Sequence, residues 1–493
     1  MTTMLFEPLF AHARSHPQEL AMIDDFGQWN YQQVASMAAG LSMYLATQTQ
    51  KPHVGILLPP SAGFAASFYG TLLAGKSIVP INYLLGDREI AHVIQDSAID
   101  TVITIPQLGS RLKDLPLKII DLLQLAQMVP PGASFTPKFP SPKADDLAVL
   151  MYTSGTSGLP KGVMLTYGNL QSDVDAAIQH ALLQTKHVFL GVIPLFHAFG
   201  ITAMMLAPVQ IKAPVVYMAR FSPVGALQAI RKHKASIMFG VPAMYAAILR
   251  LDSAQPDEFK NFFAVISGGE PLPSTVREAF ERRFGTKILE GYGLTETSPV
   301  VTLNTPMQNK PGSVGKCVPG AEVRIVDDNG KPLGRESTGE IWLKGPMVMK
   351  GYYNLPKETA DVLTADGYFK TGDLGRIDTD GFLYITGRKK ELIISAGEKV
   401  VPREVEDVLA RHPQVADVAV VGKKDPSRGE VVVAFVVPKD QNLKPDELRS
   451  FCRDQGLVSF KVPREITLLP ELPRSPTGKV LKRVLADKAN AVG

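Results

Sequence analysis

Two cysteines in 493 residues, Cys317 and Cys452, lie far apart with no CxxC pair and no histidine nearby. That scarcity excludes a disulfide framework and a structural zinc site, and it points to a reducing compartment, so the expected location is the cytoplasm. No apolar run reaches the roughly 18 residues that a membrane span requires, so no span is expected, while peripheral attachment to a membrane surface is left open. The opening stretch MTTMLFEPLFAHARSHPQEL has no basic start, and Glu7 interrupts its short greasy patch, so no secretory signal is expected. The formal net charge of +4 is small for this length, which argues against a nucleic-acid partner. No internal repeat or low-complexity tract stands out; the Pro-rich stretch Val129–Lys143 reads as a connector.

What is present is the composition of an ordinary folded protein, 45% hydrophobic and 20% charged, in a chain too long for one core. At about 150 residues per domain, two to four units are expected. The first part alternates strands and helices. His53–Leu58 reads as a strand, Ser61 caps a helix running to Leu73 with Gly75 past its end, Ser77–Ile81 resumes as strand, and a helix from Asp87 to Gln95 leads to the strand Thr101–Ile105. Short apolar runs recur at Val188–Ile193, Ala213–Tyr217, Ala235–Phe239, Phe263–Ser267 and Lys287–Glu290, as in a parallel sheet covered on both faces. After about Gly387 the pattern changes to a helix starting at Pro402, the strands Val415–Val421 and Glu430–Val437, and a helix from Lys444 to Gln455 with Gly456 past its end. The expected fold is therefore α/β, with a large N-terminal domain, residues 1–388, of parallel-type sheets covered by helices, and a small C-terminal α+β domain, residues 389–493.

Between two apolar runs stands MYTSGTSGLPKG, Met151–Gly162. Its spacing, Gly155-x-x-Gly158-x-x-Lys161-Gly162, misses the Walker pattern, and Val163-Met164-Leu165 follows as a strand-like run, which puts the loop between two strands. The phosphate-binding chemistry survives that difference. Glycines let successive backbone N–H groups turn inward as an anion nest, the hydroxyls of Thr153, Ser154, Thr156 and Ser157 add donors, and Lys161 adds a full positive charge. A triphosphate suits such a loop; the plainer alternative is a surface hairpin. Further polar clusters follow strands, where open α/β sheets place their ligands: Ser267-Gly268-Gly269-Glu270 and Gly291-Tyr292-Gly293-Leu294-Thr295-Glu296. Glycine lets a flat ligand approach the backbone, Tyr292 offers a stacking face, and Glu296 offers a carboxylate suited to a metal ion.

With Asp373 in Phe369-Lys370-Thr371-Gly372-Asp373-Leu374-Gly375, the segment Leu195-Phe196-His197-Ala198-Phe199-Gly200, Gly387–Ile393 and the tail Pro473–Lys479, these clusters fall in one order along nearly the whole chain. In that order and spacing the sequence resembles the adenylate-forming ligases: acyl-CoA and aryl-CoA synthetases, nonribosomal adenylation domains and beetle luciferases. The resemblance implies that Thr153, Ser154, Gly155, Thr156, Ser157, Gly158 and Lys161 bind the β- and γ-phosphates of ATP, and that Thr153 and Glu296 hold Mg²⁺. It implies an adenine site at Gly268, Gly269, Glu270, Gly291 and Tyr292, continued by Gly293 and Thr295. Asp373 would take the ribose hydroxyls with Arg388 assisting, since one carboxylate accepts two hydrogen bonds. His197 would lie between the acyl pocket and the nucleotide.

The resemblance also gives Lys479 the first half-reaction, in which a carboxylate attacks the α-phosphorus and a cation touching both anions stabilises the transition state. The small domain would then rotate about Lys390 so that Ser395-Ala396-Gly397 replaces the tail and admits the thiol of coenzyme A. The acyl pocket would be built from segments including Phe196, Phe199, Gly240, Val241 and Met244, which are almost wholly apolar. No acid occurs in Leu195–Gly200, where amino-acid-activating relatives carry an Asp, so amino acids are disfavoured. A medium- or long-chain fatty acid is the first expectation, and an aryl acid the second. Val401 stands before Pro402 where relatives often carry an aromatic or small polar residue, which keeps an acyl carrier protein open as acceptor in place of free CoA. A nucleotide-binding protein without catalysis is the alternative from another class.

Overall fold

The computed structural model describes residues 4–128, 139–153, 159–440, 442–474 and 480–491. Most of the expected connector Val129–Lys143 lies outside them. The alternation of the first part resolves into two large sheets rather than one. One has nine strands: the row Ile288–Gly293, Ala264–Ser267, Ile237–Gly240, Phe189–Gly191, Val215–Tyr217 and Leu20–Asp24 is parallel throughout, with antiparallel strands added at both edges. The other has seven, with Leu147–Thr153, Ser77–Pro80, His53–Leu57, Thr101–Thr104 and Lys118–Asp121 parallel and Lys161–Thr166 antiparallel beside Leu147–Thr153.

Successive residues of each central strand feed different cores, because side chains alternate across a strand. Ile237 and Phe239 join the core between the two sheets, while Met238 joins the outer core under the helices Pro223–His233 and Ser274–Phe284. That is why these strands read as continuous apolar runs. The helix Ala62–Leu73, capped by Ser61 Oγ accepting from the Phe64 amide, is buried on every side within the shared core. It meets the helix Tyr31–Gln48 at Gly70, where a Cβ would lie 2.6 Å from the Ala38 carbonyl.

A third sheet was not foreseen. Glu322–Val326, Gly339–Lys344, Phe369–Ile377 and Leu383–Arg388 form a four-stranded antiparallel sheet, so the large part of the chain is mixed rather than of parallel type alone. Its strands carry Ile341 and Leu343 into the core while Trp342, between them, stacks beside Lys370 on the other face, a half-wet pattern unlike the parallel runs. The last of these strands ends at Arg388, a short turn Lys389–Glu391 follows, and Ile393–Ser395 begins a five-stranded sheet with its own core. The helices Pro402–Leu409 and Pro445–Asp454 cover that sheet, giving the smaller α+β part. Among the described residues no helix is long and apolar enough to cross a membrane.

Candidate active site

The loop Thr153–Lys161 hangs from a β-hairpin, with Thr153 paired to Lys161 across the two strands. One helix, Asp87–Ser97, braces both of its feet. The Tyr152 hydroxyl donates to Asp96 Oδ2 at 2.5 Å, and His92 Nε2 donates to the Pro160 carbonyl at 3.0 Å. Ser154, Gly155, Thr156, Ser157 and Gly158 lie outside the described residues. Lys161 places its ammonium 5.5 Å from the centre of the Tyr352 ring. The Tyr352 hydroxyl in turn donates to Glu296 Oε1 at 2.9 Å. Burial pushes the Glu296 carboxyl above the ordinary range, and burial beside Glu296 raises the Tyr352 phenol.

The turn bearing Thr295 and Glu296 is held by close backbone contact. Gly293 lies where a Cβ would fall 1.9 Å from the Pro299 carbonyl, and the Thr297 hydroxyl both accepts from the Leu294 amide at 3.0 Å and donates to that carbonyl at 2.6 Å. Asp373, 4% exposed, is fixed on both oxygens: Oδ2 accepts from the Tyr292 hydroxyl at 2.6 Å and Oδ1 meets Arg388 Nε at 3.0 Å. Burial next to that carboxylate drives the Tyr292 phenol well up, so it stays a donor. Each carboxylate oxygen keeps a further lone pair, so Asp373 can still accept from a ligand.

These groups converge on one cavity of about 1240 Å³. Thr153, Lys161, His197, Gly268, Gly269, Glu270, Gly291, Tyr292, Gly293, Thr295, Glu296, Asp373, Arg388 and Lys390 all line it, with Phe199, Val241 and Met244 on its apolar side. Gly268 is the floor there, a Cβ at that position being 3.3 Å from the Phe199 ring. Lys390 faces in from the short turn; burial, and then the neighbouring Arg388 charge, lower its pKa. Among the described residues no three His, Cys, Asp or Glu side chains gather to cage a metal. A hard cation would draw on the oxygens of Glu296 and Thr153 and on those of a bound nucleotide, a donor set that fits Mg²⁺.

Four expected site residues do not line the cavity. Phe196 is 2% exposed and turns edge-on to Tyr83, ring centres 4.9 Å apart. Gly240 sits behind the wall, where a Cβ would meet the Tyr245 ring at 2.9 Å, and so serves packing. Ser395 and Gly397 belong to the hairpin Ile393–Val400, which lies outside the cavity lining and carries an exposed ion pair of Lys399 Nζ with Asp328 Oδ2 at 2.8 Å. Lys479 lies outside the described residues. Sequence reasoning missed Tyr352, Met218 and Phe221, which also line the cavity. Tyr352 arrives by pairing of Gly351–Tyr352 with Lys161–Thr166, a contact across a long sequence separation that no local motif announces.

Residues 9–353 match the family model described as AMP-binding enzyme, and residues 404–479 match that described as AMP-binding enzyme C-terminal domain. The long-chain-fatty-acid–CoA ligase of Bacillus subtilis (strain 168) is 35% identical over 478 residues, spanning 88% of this chain and 85% of that protein. The sulfoacetate–CoA ligase of Cupriavidus necator is 35% identical over 450 residues, spanning 88% of this chain and 87% of that protein. The solved structure of ATP-bound MatB from Rhodopseudomonas palustris aligns with a TM-score of 0.93 at 28% identity, with 100% of both chains covered.

Proposed function

The chain belongs to the AMP-binding enzyme family, and from that premise we propose that it activates a medium- or long-chain fatty acid with ATP and passes the acyl group to the thiol of coenzyme A. It is an acid–thiol ligase that uses ATP and CoA; the fatty acid is the finer reading. In the first step a carboxylate oxygen attacks the α-phosphorus, the bond from that phosphorus to the bridging oxygen breaks, and pyrophosphate leaves. In the second the thiol sulfur attacks the acyl carbonyl carbon, its proton is released, and AMP leaves.

Asp373, oriented by Tyr292 and Arg388, accepts the ribose hydroxyls, and the glycine-lined wall at Gly268–Glu270 and Gly291–Tyr292 receives the adenine. Lys161 and its loop hold the departing phosphates. Mg²⁺ held by Thr153 and Glu296 would neutralise phosphate charge. His197 separates nucleotide from acyl chain, and Lys479 serves the reacting anions. Residues 1–388 and 389–493 act as two domains turning at Lys390; the short turn Lys389–Glu391 between two complete sheets supports that assignment. Such a turn would bring Ser395 and Gly397 to the cavity for the thiol step.

The observation that carries the reading is the continuity of the cavity: polar groups suited to a nucleotide pass directly into a wall of Phe199, Val241, Met244, Met218 and Phe221. A long alkyl chain fits that wall, and each buried methylene contributes about 0.8 kcal/mol. The test is acid-dependent ATP–pyrophosphate exchange over a panel of straight-chain, aryl, sulfonated and dicarboxylic acids, followed by thioester formation with free CoA and with holo acyl carrier protein. Rates rising with chain length, and CoA as acceptor, are the expected result. An aryl optimum, or an acid with a second anionic group that engages Arg220 at the rim, would overturn the fatty-acid assignment.

A further inference from the structure

Glu296 stands on a single helical turn, Thr295–Thr297, between the strands Ile288–Gly293 and Val300–Leu303, so no sheet ladder fixes it. A carboxylate assigned to a metal needs other support, because a misplacement of about 1 Å is enough to cost affinity or rate. The segment Pro346–Tyr352 supplies it, as a strap across the turn. The Glu296 carbonyl accepts from the Met349 amide at 2.8 Å, and its carboxylate accepts from the Tyr352 hydroxyl at 2.9 Å. Ser298 Oγ donates to the Met347 carbonyl at 2.8 Å. The far end of the strap is fixed by main-chain bonds to the strand that follows the phosphate loop: the Lys350 amide donates to the Met164 carbonyl at 3.0 Å, and Tyr352 pairs with Val163.

The near end, Pro346–Val348, lies outside every strand, yet one side chain takes two of its carbonyls. Asn169 Nδ2 donates to the Pro346 and Val348 carbonyls, both at 2.8 Å. The other end of the same amide is also engaged. Oδ1 accepts from the Thr166 amide at 2.9 Å while the Asn169 backbone amide donates to Thr166 Oγ1 at 3.1 Å, the reciprocal pair that caps the helix Tyr167–Ala181. The oxygen therefore serves the helix, and both N–H groups serve the strap. That helix follows directly from the strand Lys161–Thr166, so Asn169 joins the element that carries Lys161 to the segment that grips Glu296.

We infer that Asn169 is a positioning residue for MgATP: through the strap Pro346–Tyr352 it sets where the Glu296 carboxylate stands relative to the phosphate loop. The inference rests on the assignment of Mg²⁺ to Glu296. Asn169→Asp is the informative variant, since a carboxylate keeps the acceptor that caps the helix and removes both donors to the strap. Asn169→Ser removes the donors without adding a charge, should the first variant fail to fold. Each full-length protein is titrated calorimetrically with ATP plus Mg²⁺, with ATP plus EDTA and with AMP, in the parent background and in Glu296→Gln. Affinity for MgATP should fall about tenfold, the lower end of what losing a partner that orients a metal ligand costs. AMP, which Asp373, Tyr292 and Gly268 would hold, should bind as it does to the parent. In Glu296→Gln the change at Asn169 should cost nothing further, because the carboxylate it positions is gone. Equal losses for MgATP and AMP, an unchanged MgATP affinity in both variants, or a full additional loss on top of Glu296→Gln would each overturn the inference. A parent that binds ATP equally well with Mg²⁺ and with EDTA overturns the metal assignment itself.

Discussion

Lys482 is the centre of a half-buried ion triad: its ammonium lies 2.8 Å from Glu406 Oε1 and 3.1 Å from Glu391 Oε2, with side-chain exposures of 26%, 18% and 30% for Lys482, Glu406 and Glu391. Glu391 ends the short turn before the five-stranded sheet, and Glu406 also accepts the Val420 amide at 2.8 Å, so one cation fastens the C-terminal helix Lys482–Ala491 to the turn and the sheet. Burial works against the charge, yet the two carboxylates outweigh it and hold the lysine pKa above its ordinary value. Lys482→Met leaves two carboxylates facing each other. Breaking a fully buried pair costs about 3–5 kcal/mol and an exposed pair at most about 1, so about 2 kcal/mol is expected at this exposure. Hydrogen exchange of the full-length protein, read on the amides of Gly429–Pro438, should quicken about 30-fold. Adding Glu406→Gln removes one of the facing charges while keeping an acceptor for Val420, so the double variant should recover about 1 kcal/mol. The lysine pKa is raised in the folded state, so this stabilisation is present below about 10.4, the unfolded value, and is lost only as pH rises through the higher folded one. A change under threefold in exchange, or strictly additive variants, would refute the reasoning.

Lys479→Ala should cut acid-dependent pyrophosphate exchange by about 10²-fold or more while thioester formation from supplied acyl-adenylate falls far less; equal loss in both steps would remove Lys479 from the first half-reaction. Lys390→Pro should impair thioester formation more than pyrophosphate exchange, because proline restricts the rotation that a hinge absorbs, and the two assays on one preparation decide it. Asp378 is buried, which opposes its charge, yet Lys310 Nζ at 2.6 Å and the amides of Phe382 and Asp380 at 2.9 and 3.0 Å hold its pKa down at about 2. Asp378→Asn should therefore cost about 2 kcal/mol in urea unfolding near pH 7, and the difference from the parent should shrink as pH falls from about 4 toward 2; a gap that persists at low pH would refute the carboxylate's part.

Much of the site was legible because its chemistry sits in short, contiguous stretches. A loop of glycines and hydroxyls ending in Lys161, a carboxylate at Glu296 after a glycine-rich strand end, and Asp373 beside Gly372 each carry their own signal, and the apolar run after Lys161 put the loop between two strands, which the structure pairs antiparallel. Burial of both faces made the central strands readable as continuous runs. The four-stranded sheet was not readable in the same way, since its strands alternate core residues such as Ile341 with half-exposed Trp342 and charged neighbours.

What the sequence determined by itself was therefore local: which segments are strand or helix, and which loops and side chains carry the chemistry expected of a nucleotide site. Only the tertiary structure decided which of these meet. Tyr352 reaches Glu296 because a strand far along the chain pairs with Lys161–Thr166, and Phe196 and Gly240 face away although their neighbours line the cavity. Periodicity and motif are set by neighbours in sequence, whereas convergence depends on the register of distant elements, here the pairing of Tyr352 with Val163 that brings its hydroxyl to Glu296.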